Sequence, residues 1–385
     1  MGTLLRLCLP VGFTKVGFDE NLYRTYVGLL DQAGLSHYPK LAQQFISHQL
    51  DPQNQAILPP TRILYIGSGY LYHRIFGLSA LDALHAVSAH FSILTLLISA
   101  LFCWRLTRRR DYTLAMTALM ACAPTQIHMG QHALIDGVFG FWALLVLWLL
   151  WENLQKQNST HWLIGYGAAL TALVMTKENA AFVVAALMGI LALNHWLSFG
   201  RVTRQLVITS FAAILAGLAL VVLAAGGVEQ FTLIFSLLGQ KVPLLAYTIR
   251  TGGGPWHRYL VDSVLVSPII VILASAAALQ TRGNSTSGQA YLVTFCCLSY
   301  AGLALFPGGM NLRYIVMLDM PLRFLATAEL FTLSRRWGRH QAVLLGCAII
   351  ALCAYELHQH DVLFVKGALY ELVTEGLIHA QGIVR

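Results

Sequence analysis

The chain has 385 residues, of which 57% are hydrophobic and only 11% charged, with a formal net charge of +8 and a mean hydropathy of +0.64. That is too little charge to solvate a surface of this size, which excludes a water-soluble globular protein. The basic residues are spread among loops rather than gathered on one face, so nucleic acid does not explain the positive excess.

In chain order, residues 1–81 come first as an external N-terminal region. Within it Thr3 to Phe13 is apolar but far shorter than the ~20 residues a bilayer core needs, and it reads as the remnant of a first transmembrane helix. Tyr23–Leu30 and Lys40–Ile46 are short amphipathic stretches separated by Gly34, Pro39 and Pro52, suited to lying in the membrane interface. Residues 82–357 then form a transmembrane domain. Ten apolar segments are read there: Leu84–Trp104, Tyr112–Ile127, Ile135–Trp151, Trp162–Thr176, Asn179–Trp196, Leu206–Ala225, Tyr259–Leu279, Tyr291–Phe306, Tyr314–Leu333 and Ala342–Leu357. Barrel-type alternation is absent, so the expected fold is an all-α, polytopic helical membrane protein of about ten to eleven transmembrane helices. Residues 358–385 are a short external tail. The seven cysteines show no metal-ligand spacing, and Gly283–Gly288 is a small polar loop.

Arginine and lysine mark alternate connections: Arg105 with Arg108–Arg110, Lys156, Arg201 with Arg204, Arg282, and Arg335, Arg336 and Arg339. The positive-inside rule makes these loops cytoplasmic and places the opposite set outside, including Gly226–Arg258. A multi-pass protein of the cytoplasmic membrane of a prokaryote is the expected setting.

Ionisable groups at the outer helix ends are informative because each is costly near hydrocarbon unless paired. They begin with Phe18-Asp19-Glu20-Asn21-Leu22-Tyr23, where acids also suit a helix start and Glu20 could pair with Arg24. Arg62 follows Pro59-Pro60 and precedes an aromatic run that begins at Tyr65 and reaches Phe76-Gly77, and it could serve a headgroup or a phosphate. Asp136 opens a helix in a loop without basic residues. Lys177 stands in the turn Met175-Thr176-Lys177-Glu178, where Glu178 is its obvious neighbour. Gly252–Tyr259 is a hinge-like loop containing Arg258, and Arg313-Tyr314 stands at the mouth of the ninth segment. A phosphate-bearing lipid needs cations and an acceptor hydroxyl needs a carboxylate base; this face offers both. The chain carries no P-loop, His-Glu-x-x-His or Gly-x-Ser-x-Gly, which removes ATP-driven, zinc-protease and serine-hydrolase chemistry.

In order, these motifs resemble the GT-C superfamily of membrane glycosyltransferases, specifically the protein O-mannosyltransferase and aminoarabinose-transferase branch. The likeness rests on Asp19-Glu20 with Tyr23, Pro59-Pro60 through Phe76-Gly77, Ile135-Asp136, Met175-Thr176-Lys177 and Arg313-Tyr314. The chain departs from the branch in its first helix, in Glu178 where relatives usually have Gly, and in lacking the large C-terminal domain of some relatives. The resemblance implies inverting transfer of a sugar from a polyprenyl-phosphate donor to a hydroxyl of a glycan, lipid or protein, at the extracytoplasmic face. It implies Asp19 as the base, with Glu20, Tyr23, Tyr65 and Asp136 shaping the site. Arg62, Lys177, Arg258, Arg313 and Tyr314 would then bind the donor. No clustered ligand set indicates a cofactor, and dependence on a divalent metal is left open.

The competing class is a multi-pass transporter or flippase, for which Arg323, deep in the ninth segment, is the best support. Absence of internal repeats speaks against it. A non-catalytic assembly subunit is the third class; the retained Asp19-Glu20 pair disfavours it.

Overall fold

A computed structural model describes residues 1–156, 159–251, 253–284, 287–305 and 310–383. Gly252, Ser285, Thr286 and Phe306, which belong to segments named above, lie outside the described residues, as does the side chain of Arg282.

The described residues fold as helices. The chain opens with α1 (Gly2–Leu7), which packs against α5, α6 and α7, followed by α2 (Phe18–Ala33), α3 (Tyr38–Leu50) and α4 (Ile63–Phe76), which cover one end of the bundle. At the start of α2, Glu20 Oε2 accepts the Gly17 N–H at 2.7 Å and the Gly17 carbonyl accepts the Asn21 N–H at 2.9 Å. Gly77, at φ 64°, ends α4 in the left-handed region. The apolar faces of α2 and α4 meet α5 through Tyr23, Val27, Leu30, Tyr65, Ile66, Leu84 and Val87, all buried.

The bundle proper comprises α5 (Ala80–Thr107), α6 (Arg110–Ala121), α7 (Pro124–Gln131), α8 (Ile135–Gln155), α9 (Thr160–Val174), α10 (Ala180–Leu197) and α11 (Arg204–Ala225). Next come α12 (Val228–Lys241), α13 (Ala246–Thr251), α14 (Arg258–Val266), α15 (Pro268–Asn284), α16 (Ser287–Ala304), α17 (Asp319–Ser334), α18 (Gln341–His360) and α19 (Thr374–Ala380). Among the described residues, α5, α8, α10 and α11, together with the run 312–366 that contains α17 and α18, are long and apolar enough to cross a membrane. Most of α8 is buried, whereas α11 turns Phe211, Leu215 and Leu223 outward, as a helix facing lipid does.

Three of the ten expected segments are divided. Tyr112–Ile127 breaks at Cys122-Ala123, just before Pro124, and Tyr259–Leu279 breaks at Ser267, before Pro268. Both breaks follow from proline, which cannot donate to the preceding turn. The ninth segment starts as a 3-10 stretch, Leu312–Leu318, before becoming α17. Polar side chains satisfy the freed backbone. Arg6 of α1, fully buried, donates to the carbonyls of Met120 and Ala121 and to Ser92 Oγ, at 2.9–3.0 Å. Beyond α18 the chain does not trail away. It makes a π turn, Asp361–Lys366, and returns through 367–373, where the Leu372 carbonyl accepts the Leu312 N–H at 3.0 Å.

Candidate active site

Helix ends bring the charged residues to one place. Asp19 is the second residue of α2, and Asp136 the second of α8, so their carboxylates sit at helix N-termini where the backbone dipole favours negative charge. Lys177 stands in the turn between α9 and α10, and that turn is tied to α4 by the Leu64 N–H to Met175 carbonyl bond at 3.2 Å. Arg313 lies on the 3-10 stretch before α17.

Arg313 is the hub. Its guanidinium reaches Asp19 at 3.2 Å, Glu371 at 3.0 Å and Asp136 at 3.9 Å, while only 5% of its side chain is exposed. Asp136 also holds Lys177, Nζ to Oδ1 at 2.6 Å. Lys177 therefore pairs with Asp136 rather than with its neighbour Glu178, and its ammonium lies 4.5 Å from the centre of the Tyr314 ring. Burial, reinforced by nearby Arg62 and Arg313, lowers the Lys177 ammonium below its ordinary range even with Asp136 in contact. Glu178 turns instead to Arg62, which binds it through Nε and Nη2 at 3.1 and 2.9 Å and donates its other arm to the Tyr23 hydroxyl. Tyr65 packs edge-on against Tyr23 at 4.9 Å and hydrogen-bonds Ser88 at 3.1 Å.

Two residues named from the sequence stand apart from this cluster. Glu20 faces the protein interior, where Oε1 accepts the Ala133 N–H at 2.8 Å and lies 3.2 Å from His132 and 3.4 Å from His85. Burial opposes its ionisation, but the bonds from His132, His85 and Gly17 hold its carboxyl well below the usual range. It does not meet Arg24, which bonds Asn21 instead. Arg258 is engaged by the Thr251 and Gly253 carbonyls and by Thr374 Oγ1, at 2.7–2.9 Å. It lines a separate cavity of ≈ 540 Å³ between the loop before α14 and α19.

Sequence reasoning missed Glu371, Asn311 and Tyr370. Asn311 amide donates to Glu371 and to the Tyr247 hydroxyl, and Tyr370 stacks on Phe13 at 5.0 Å. The residues before α2 pass so close to this returning segment that a Cβ on Gly17 would fall 2.1 Å from the Tyr370 ring, which sets Asp19 beside the C-terminal residues. Two polar atoms of the cluster, Arg313 Nε and the Tyr370 hydroxyl, are buried without a hydrogen-bond partner. Among the described residues no three His, Cys, Asp or Glu side chains are arranged to hold a metal ion.

Arg323, deep in α17, is neutralised by Asp319 at 3.1 Å and Glu356 at 2.6 Å, and Ser267 donates to the same Glu356 oxygen. It joins α17 to α18 and to the break before α15.

Residues 73–238 match the family model described as dolichyl-phosphate-mannose-protein mannosyltransferase. That stretch holds Asp136 and Lys177, while Asp19, Arg62 and Arg313 lie outside it. ArnT from Cupriavidus metallidurans in its apo state superposes with a TM-score of 0.55 at 16% identity, covering 91% of this chain and 61% of that one. ArnT bound to undecaprenyl phosphate superposes at 0.63 and 14% identity, covering 99% and 73%. The chain shares the fold of these ArnT structures. The archaeal oligosaccharyltransferase AglB from Archaeoglobus fulgidus, in complex with an inhibitory peptide and a dolichol-phosphate, agrees at 0.59 and 11% identity, covering 94% of this chain and 54% of its own. The chain thus spans about three-fifths of apo ArnT and about half of AglB. No curated protein sequence matches it. The chain is an integral membrane protein, as its apolar helices and these neighbours agree.

Proposed function

We propose that this chain is a GT-C membrane glycosyltransferase that moves a sugar from a polyprenyl-phosphate donor to an acceptor hydroxyl on the extracytoplasmic side, with inversion. The observation that carries the reading is the convergence of Asp19 and Asp136 on Arg313 and Lys177 at one end of the bundle. The neighbours bound to undecaprenyl phosphate and dolichol-phosphate support the choice of carrier.

In the proposed reaction the acceptor oxygen loses its proton to Asp19 Oδ and attacks the anomeric carbon from the side opposite the phosphate. The bond from that carbon to the phosphate oxygen breaks, and its electron pair stays on the phosphate. Arg313 and Lys177 stabilise the charge that develops there, in surroundings where fixed cations act with little screening. A phosphate on Arg313 also competes with Asp19 for the guanidinium, leaving a carboxylate oxygen open to the acceptor hydroxyl.

Mass spectrometry of lipid-linked sugars and surface glycans, in cells with and without the protein, tests the proposal. Loss of the protein should leave a carrier-linked sugar accumulating and one glycan form depleted. Unchanged pools on both sides would overturn it.

A further inference from the structure

The charged cluster holds more acid than base. Asp19, Asp136, Glu178 and Glu371 face Arg62, Lys177 and Arg313, four carboxylates against three cations, and each cation is already in contact with at least one acid. A donor phosphodiester adds a further negative charge. Either it binds against that excess or one carboxylate gives way, since like charges in a poorly solvated site repel strongly.

We propose that Glu371 is a placeholder for the donor phosphate: it occupies Arg313 in the donor-free state and surrenders that guanidinium when a polyprenyl-linked phosphodiester binds. The proposal rests on the donor reading given above and deepens it.

Of the three acids on Arg313, Glu371 is the one placed to leave: Asp136 is 1% exposed and held by Lys177, and Asp19 is the proposed base. Glu371 is 31% exposed and belongs to no helix, lying on the returning segment between the π turn and α19. A rotation of its side chain needs no helix to unpack, because the backbone stays pinned by Leu372 to Leu312. Arg313 keeps an unused buried donor in Nε, so an incoming phosphate can take more bonds than the carboxylate it replaces. Two and three residues further on, Val373 and Thr374 wall the ≈ 540 Å³ cavity that Arg258 lines, so the segment borders open space.

The groups facing Glu371 are Arg313 and Asn311 from the 3-10 stretch, Asp19 from α2, Asp136 from α8, Tyr247 from α13 and its neighbour Tyr370. Burial raises the carboxyl above its ordinary range, Arg313 and Asn311 pull it down, and Asp19 and Asp136 push it up again, with a net rise. Moving Arg313 onto a phosphate removes the strongest downward pull, so Glu371 takes up a proton as the donor binds. Affinity then weakens as pH rises through the free-state titration of Glu371, by up to about tenfold per pH unit.

The probe is a polyprenyl methyl phosphodiester, because its charge stays constant where a monoester would itself titrate near pH 6. The uncharged polyprenol is the control. Binding is measured to the full chain in liposomes, between pH 5 and 9, for wild type, Glu371→Gln and Glu371→Asp. Glu371→Gln should bind the diester on the order of tenfold more tightly at pH 8, with the pH dependence flattened, since a competing state is removed. Glu371→Asp should keep the pH dependence. Equal or weaker binding by Glu371→Gln overturns the placeholder role. If that variant does not insert, a flat wild-type profile overturns it alone. Failure of wild type and both variants to prefer the diester over polyprenol is a different result, which removes the donor reading itself.

Discussion

Asp19 touches Arg313 at 3.2 Å, and that contact aims it at the place where a phosphate would sit. Gly17 and Glu20 provide the cap of α2, so Asp19 is not needed for that task and Asp19→Asn should leave the helix intact. Loss of general-base assistance typically costs ~100- to 10,000-fold in rate. Single-turnover sugar transfer in reconstituted membranes should fall by that factor while donor binding persists, and near-normal turnover would end the base assignment. Glu20→Gln belongs to another kind of experiment. Glu20 receives the N–H groups of Gly17 and Ala133 and faces two histidines, and an amide presents a donor where donors already point. The expected cost is about 1–3 kcal/mol of stability, read as a lower unfolding temperature in detergent, with transfer per folded molecule nearly preserved. Sequence reading had named the acids and cations that meet at Arg313, because charge at an apolar helix end is conspicuous. It passed over Glu371, which stands in a tail of mixed polarity and reaches Arg313 only through the return of the chain after α18. It offered Glu178 as the obvious neighbour for Lys177, since adjacency in sequence hides the partners that a tight turn sends in opposite directions.

At the scale of elements, the apolar segments were legible from hydropathy but their interruptions were less so. Pro124 and Pro268 announce the breaks before α7 and α15, whereas nothing in Leu312–Leu318 distinguishes a 3-10 stretch from a helical start. The breaks matter because they let polar side chains into the bundle. Arg323 shows the consequence: alone it was the best support for a transporter or flippase, but folded it is a strut whose two partners lie on its own helix and on α18. Arg323→Leu should therefore destabilise by about 3–5 kcal/mol, the usual cost of leaving a buried carboxylate unpaired. Adding Glu356→Leu should recover part of that loss. Thermal unfolding of the two variants decides, and a double variant no more stable than the single one would show that Glu356 is not the group left stranded.

For the whole molecule, the site argument depends on which way the bundle faces. The charged cluster and α2–α4 lie at one end, while Arg105, Arg108, Arg109 and Arg110 lie at the other end of α5. Positive charge is retained on the cytoplasmic side during insertion, so the arginine end should be inside and the cluster outside, where a lipid-linked sugar is delivered to surface acceptors. Arg105 also pairs closely with Glu152 near the end of α8, and Arg109 with Asp111, which lowers the free charge of that end but still leaves Arg108 and Arg110 in excess. The two ends can be told apart by reactivity. Ser36 is exposed beside α3 and Arg109 is exposed in the α5–α6 connection. In a cysteine-free background, Ser36→Cys should react with a membrane-impermeant maleimide on intact cells, and Arg109→Cys only after permeabilisation. The reverse pattern would put Asp19 and Arg313 in the cytoplasm, and an extracytoplasmic transfer reaction would then have no site.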